Sequence, residues 1–311
     1  MLFTILINDK EQFPSIKMVD TVSLCEVEVF CFGGILNEFS IEKNNQRVNV
    51  IDAYYNVADA IEQRNTWFKS CKLSPFVCRL ENGKYSWNNI NYTIEKFYLG
   101  NNAIHGLVYD AVYEIVKTEA TETDAMIELQ YTYNATDSGY PFNFTTNILY
   151  KLEANNKLTI TSTIHHNNNQ SIPYCEGWHP YFKLDEPIDN CTLQFNANEL
   201  LAFDENLIPT GNVLSDDRFL TPKILKDINL DNCYKLKENE MPICVLESKN
   251  IKLTITAVQS YPYLQVFIPD HRNNIAIENL SAAPNAFNNK MGLSILDPNK
   301  KYVFEMSYKL V

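Results

Sequence analysis

The chain has 311 residues, 45% of them hydrophobic, and a formal net charge of −12, so it is long and apolar enough to fold around its own core. That charge, with no cluster of lysine or arginine, argues against a nucleic-acid partner, because phosphate backbones are held by such clusters. No apolar run approaches the ~20 residues that span a bilayer, and the N-terminal MLFTILINDKEQF lacks both a basic start and a small-residue cleavage site. No membrane partner is expected, and the reading is a soluble, cytoplasmic protein.

In chain order, CEVEVF (25–30) opens a series of segments in which apolar and polar residues alternate with the period of two of a half-buried strand. The segment DAYYNVADAIEQRNTWF (52–68) breaks the series with helical spacing, Tyr54, Val57, Ala58 and Ile61 falling on one face. Alternation returns in AMIELQYTY (125–133), KLTITSTIH (157–165), KLTITAV (252–258) and YVFEMSYKL (302–310), with Asn-rich turns such as HNNNQS (166–171) between strands. These elements predict an all-β, antiparallel protein of large packed sheets with few short helices. No repeat, linker or compositional shift divides it, so a single domain over 1–311 is expected.

Eight cysteines are scattered without a CxxC pair, and a chain of this size needs no disulfides, so buried free thiols are expected. Five N-x-S/T sequons, at Asn91, Asn134, Asn143, Asn190 and Asn279, follow from the abundance of asparagine.

Three stretches place an ionisable group where a scaffold has no need of one. In EGWHPYFKL (176–184), Pro180 forces His179 into an extended conformation. Alternation then turns Trp178, Phe182 and Leu184 toward a core, and His179 and Tyr181 toward the wetter face. His179 reads either as a proton donor or ligand hook, or as a core histidine bonded to backbone. In NNAIHGLVYD (101–110), His105 sits in an Asn-rich turn before a glycine. In NIAIENLSAAPNAFNN (274–289), Glu278 closes an apolar strand, where an acid costs energy unless it is paired, solvated or used. A zinc site is disfavoured because His165 and His166 are adjacent on a strand, and so point apart, while His271 lies in a charged turn. Nucleophilic catalysis is disfavoured by the lack of G-x-S-x-G or an electropositive cysteine. Acid/base chemistry by His and Glu remains.

From about residue 49 to 297 the chain resembles the aldose 1-epimerases (galactose mutarotases). The resemblance is carried by LSPFVCRLENGKYSWNNINYTI (73–94), NAIHG, GYPFNF (139–144), GWHPYF, LIPTG (207–211), LDNCYKL (230–236), YPYLQVF and ENLSAAPNAFNN, in family order. It implies a β-supersandwich and interconversion of the α and β anomers of an aldohexose, without metal or other cofactor. It also implies a small-molecule aldose as partner and a monomer or homodimer as assembly. By the same resemblance Glu278 is the general base at the anomeric hydroxyl and His179 the general acid at the ring oxygen. His105 orients the sugar, and Arg79 and Asp231 bind its hydroxyls. Tyr109, Cys233 and Tyr234 depart from the family's commoner residues. An acid and a base on opposite sides of the sugar are expected, with ionised Glu278 keeping His179 protonated. Trp178, Tyr181 and Phe287 are candidates for apolar contact with the sugar. A single arginine favours a free sugar over a hexose 6-phosphate. A non-catalytic sugar-binding or sugar-sensing protein on the same sandwich is the alternative.

Overall fold

Strands Phe144–Glu153 and Lys157–His165 alternate buried and half-buried residues along their whole length, as their sequence period requires. The computed structural model describes residues 2–238, 243–257 and 260–311, so Val258 of the expected strand KLTITAV lies outside the described residues. These two strands sit in a nine-stranded sheet. Its spatial order is Glu114–Ala120, Asp124–Tyr133, Phe144–Glu153, Lys157–His165, Lys301–Leu310, Lys252–Ala257, Cys244–Glu247, Thr192–Phe195 and Lys223–Ile224.

A second, eight-stranded sheet runs Pro209–Ser215, Ala197–Phe203, Asp231–Leu236, Tyr263–Phe267, Ile275–Leu280, Gly177–Trp178 and Lys72–Leu73, with Tyr181–Phe182 also pairing to Ile275–Leu280. The inner faces of the two sheets meet through large rings. Trp178 packs on Tyr150, and Phe182 on Tyr308. A five-stranded antiparallel sheet, residues 3–49, precedes them. This is the all-β supersandwich that the resemblance implied, with two short α-helices among the described residues.

The longer helix, Val57–Trp67, is shorter than the expected 52–68, because the Asn56 side chain caps it by accepting from the Asp59 N–H. Phe68 ends it in the left-handed region. The cap also shifts the inner face. Val57 and Ala60 are buried and Ile61 packs on the core, Tyr54 is buried but precedes the helix, and Ala58 is exposed, contrary to expectation. All eight cysteines are buried free thiols, as composition indicated.

One inward position interrupts the apolar alternation. In Lys157–His165 the buried residues are Leu158, Ile160, Ser162 and Ile164, and the Ser162 hydroxyl accepts from Lys72 at 2.8 Å. The Lys72 ammonium lies 2.5 Å from Glu176 Oε1 and 4.6 Å from the centroid of the Trp178 ring. Tyr261 donates to the same carboxylate oxygen at 2.7 Å. Both charged side chains are fully buried, and this polar knot joins the two sheets.

Candidate active site

Three neighbouring strands of the eight-stranded sheet deliver one face of a cleft. Pairing sets Gln265 opposite Glu278 and Asp231 opposite Phe267, so these side chains stand in adjacent rows on the same face. His179 arrives from the next connection. Its N–H donates to the Cys71 carbonyl at 3.2 Å and its own carbonyl accepts from the Ser70 N–H at 2.8 Å, which brackets the residue on both sides.

The opposite wall carries Arg79 and His105. Arg79 pairs with Ile104, and the His105 N–H donates to the Cys78 carbonyl at 2.9 Å. His105 adopts φ 62°, and Gly106 after it has φ 78°. A Cβ at Gly106 would lie 2.2 Å from the Ser74 carbonyl oxygen, so only glycine lets the turn close there.

The result is a cleft of about 840 Å³, mouth included, lined by all five residues singled out in the sequence: Arg79, His105, His179, Asp231 and Glu278. His179 Nε2 lies 3.4 Å from Glu278 Oε1, and the His105 ring meets the His179 ring edge-on with centroids 4.8 Å apart. Thus the expected acid and base are adjacent rather than on opposite sides. Both can still reach a hemiacetal, because its hydroxyl oxygen and ring oxygen are bonded to the same carbon.

Burial sets the electrostatics. His179 is pushed down to about 4 by desolvation. His105 is held well below 6.5, first by desolvation and then by His179 and Arg79. The Glu278 carboxyl is raised well above 4.5 by desolvation and by Asp231, with the Arg79 guanidinium opposing. This reverses the expectation that ionised Glu278 keeps His179 protonated. With both groups cut off from water, the neutral pair of carboxylic acid and imidazole is favoured over the ion pair. Asp231 is likewise raised by burial, offset by Arg79 and by the hydrogen bond from Gln265.

Sequence reasoning missed Gln265, inside YPYLQVF. It is 6% exposed, donates Nε2 to Asp231 Oδ1 at 2.8 Å, and leaves Oε1 without a partner. His105 Nδ1 and His179 Nδ1 are also buried and partnerless. Three such atoms in one cleft call for a polar ligand. A glutamine among apolar residues on a central strand was the available signal. Cys78 was missed too, and its Sγ lies 3.9 Å from Glu278 Oε2.

Of the three aromatic candidates only Tyr181 lines the cleft. Trp178 faces the core against Tyr150, because alternation turns it away from the site, and Phe287, on the short helix Ala286–Asn289, packs among Phe76, Tyr85 and Tyr140. Tyr109 and Tyr234 stand behind the cleft wall, Tyr109 against Phe68 and Tyr234 bonded to Asp216, whereas Cys233, opposite Gln265, shares the face of Asp231 but is fully buried beneath the lining. His166 is buried with Nε2 on the Leu296 carbonyl, and His271 packs edge-on against Trp67. No group of three or more metal-ligating side chains occurs among the described residues, and no helix among them is long and apolar enough to cross a membrane.

Comparison with known proteins gives this cleft a context. Maltose epimerase of Levilactobacillus brevis is 23% identical over 270 residues, 81% of this chain and 75% of that protein. The uncharacterized protein YihR of Escherichia coli K12 is 25% identical over 237 residues, 74% and 75% of the two chains. The structure of galactose 1-epimerase from Lactobacillus acidophilus NCFM superposes with a TM-score of 0.84 at 18% identity, covering 99% of this chain and 98% of the other. A galactose mutarotase-like protein from Clostridium acetobutylicum gives 0.86 at 16%, with the same coverage. At such identities the structural likeness speaks for the fold alone. The aldose 1-epimerase family profile, however, matches residues 15–309, and with nearly the whole chain inside that match, the protein belongs to the aldose 1-epimerase family.

Proposed function

We propose that the protein is a mutarotase that interconverts the α and β anomers of a free aldohexose, glucose or galactose, through the Glu278–His179 pair. The observation that carries this reading is their 3.4 Å contact in a cleft with partnerless His105 Nδ1 and Gln265 Oε1. The pair holds one proton, which burial leaves on Glu278 at rest and which passes to His179 in the working form. Glu278 takes the proton of the anomeric hydroxyl, the O–H electron pair forms the C1 carbonyl, the bond from C1 to the ring oxygen breaks, and His179 Nε2 protonates that oxygen.

Both residues are then neutral, which is the state that burial favours, so desolvation stabilises the open-chain intermediate. Rotation about the C1–C2 bond exposes the other face of the aldehyde. Ring closure returns each proton to its origin. Arg79, Asp231 and Gln265 supply donors and acceptors for the remaining hydroxyls, and His105 orients the ring oxygen. An unphosphorylated sugar fits best. Arg79 is the single lysine or arginine lining the cleft among the described residues, and it faces two carboxyl groups, Asp231 and Glu278.

The test is anomer exchange of freshly dissolved glucose and galactose, followed by polarimetry or NMR. Glu278→Gln and His179→Ala should each slow exchange by about 10²–10⁴-fold. Exchange at the buffer rate in the unaltered protein, with saturable sugar binding, would replace this reading with a non-catalytic sugar-binding protein.

A further inference from the structure

The polar floor does not account for the whole cleft. Trp67, Phe97 and Phe203 reach it from three separate segments: the end of helix Val57–Trp67, the connection before Tyr98–Leu99, and the end of strand Ala197–Phe203. All three are partly exposed, whereas His179 and Glu278 are 6% and 3% exposed, so the rings form a collar above the floor. Leu99, 51% exposed, and Leu207 extend it. Large apolar side chains brought to solvent around one opening by independent segments mark a binding surface. The Trp67 ring is set in place by edge contacts to Tyr181 at 6.3 Å and His271 at 5.8 Å.

The collar is not purely apolar. Asn65, on the last turn of the same helix, lines the cleft with a buried Oδ1 that has no hydrogen-bond partner. Ring faces beside an unused acceptor match a molecule with C–H faces and hydroxyl edges. The face of an aromatic ring carries the negative part of its quadrupole, which attracts polarised C–H hydrogens. A lipid would leave the Asn65 oxygen unpaired, at a desolvation cost.

We propose that the aromatic collar is an outer subsite for a second pyranose. The substrate class is then a reducing disaccharide or longer oligosaccharide whose reducing-end ring occupies the floor. The inference rests on the mutarotase reading for the role of the floor. The test compares kcat/KM for anomer exchange of glucose with that of maltose, cellobiose and lactose, in the unaltered protein and in Trp67→Ala and Phe203→Ala.

The expected result is a higher kcat/KM for at least one disaccharide than for glucose. Each variant should lose about tenfold on that disaccharide, the size of one stacking contact, and less than about twofold on glucose. Equal losses on both sugars, or glucose matching every disaccharide, would overturn it. If no sugar exchanges, the mutarotase reading fails instead, and calorimetric titration of the same protein with the same sugars decides the subsite alone. Tighter disaccharide binding that Phe203→Ala abolishes supports the subsite, and equal affinities overturn it.

Discussion

Lys72→Met removes one half of a fully buried ion pair, and its cost can be worked from the contacts. Glu176 would keep the Tyr261 hydroxyl at 2.7 Å and the Tyr174 hydroxyl at 3.4 Å, but would lose the ammonium at 2.5 Å. Stranding a buried charge in this way costs about 3–5 kcal/mol. For a chain of this length, each kcal/mol moves the midpoint by about 2 °C, so thermal unfolding at pH 8 should begin about 6–10 °C lower. Lys72→Met/Glu176→Leu leaves no charge to strand and should recover most of the loss, although the Tyr261 and Ser162 hydroxyls lose a partner. Calorimetry or circular dichroism at pH 8 reads both outcomes. A single variant within about 1 kcal/mol of the unaltered protein at pH 8, or a double variant no more stable than the single, would refute the argument.

Three further outcomes follow from the cleft. The profile of kcat/KM against pH should lose activity on the acid side near 4, where a second proton enters at His179, rather than near the ordinary histidine value of 6.5. Its alkaline limb reports loss of the last proton of the pair, and Arg79→Met, by removing the cation that opposes the rise at Glu278, should move that limb to higher pH. An unmoved limb would rule out the coupling. As pH drops from 6.5 toward about 4, His105 and His179 should lower stability, because the unfolded chain takes up protons there that the folded chain resists, while the raised Glu278 and Asp231 carboxyls, which hold protons that the unfolded chain has released, act in the opposite sense. His105→Asn/His179→Asn should remove the histidine contribution, so that in urea titrations the variant gains stability relative to the unaltered protein as pH falls, and parallel curves would contradict it. Gly106→Ala, with its Cβ 2.2 Å from the Ser74 oxygen at φ 78°, should cost more than about 2 kcal/mol and depress kcat/KM by shifting His105. An unchanged midpoint would mean that the turn can open without penalty.

The strands were legible because alternation is a local property. In KLTITSTIH each apolar residue announces its face without reference to any other segment, and the structure buries Leu158, Ile160 and Ile164 accordingly. The helix was legible in kind but not in phase, since the Asn56 cap, and not Tyr54, starts the count. The ordered motifs likewise named Arg79, His105, His179, Asp231 and Glu278 without any coordinates.

What the chain could not disclose in one dimension is everything that depends on a neighbour distant in sequence. Ser162 reads as a flaw in a strand until Lys72, 90 residues earlier, is set against it. Gln265 reads as one polar residue among apolar ones until pairing puts it opposite Glu278. The proton balance of His179 and Glu278 could not be foreseen from residue types, which suggested an ion pair. Desolvation is summed over all the atoms that the fold packs around a group, and only the closed sandwich supplies those atoms.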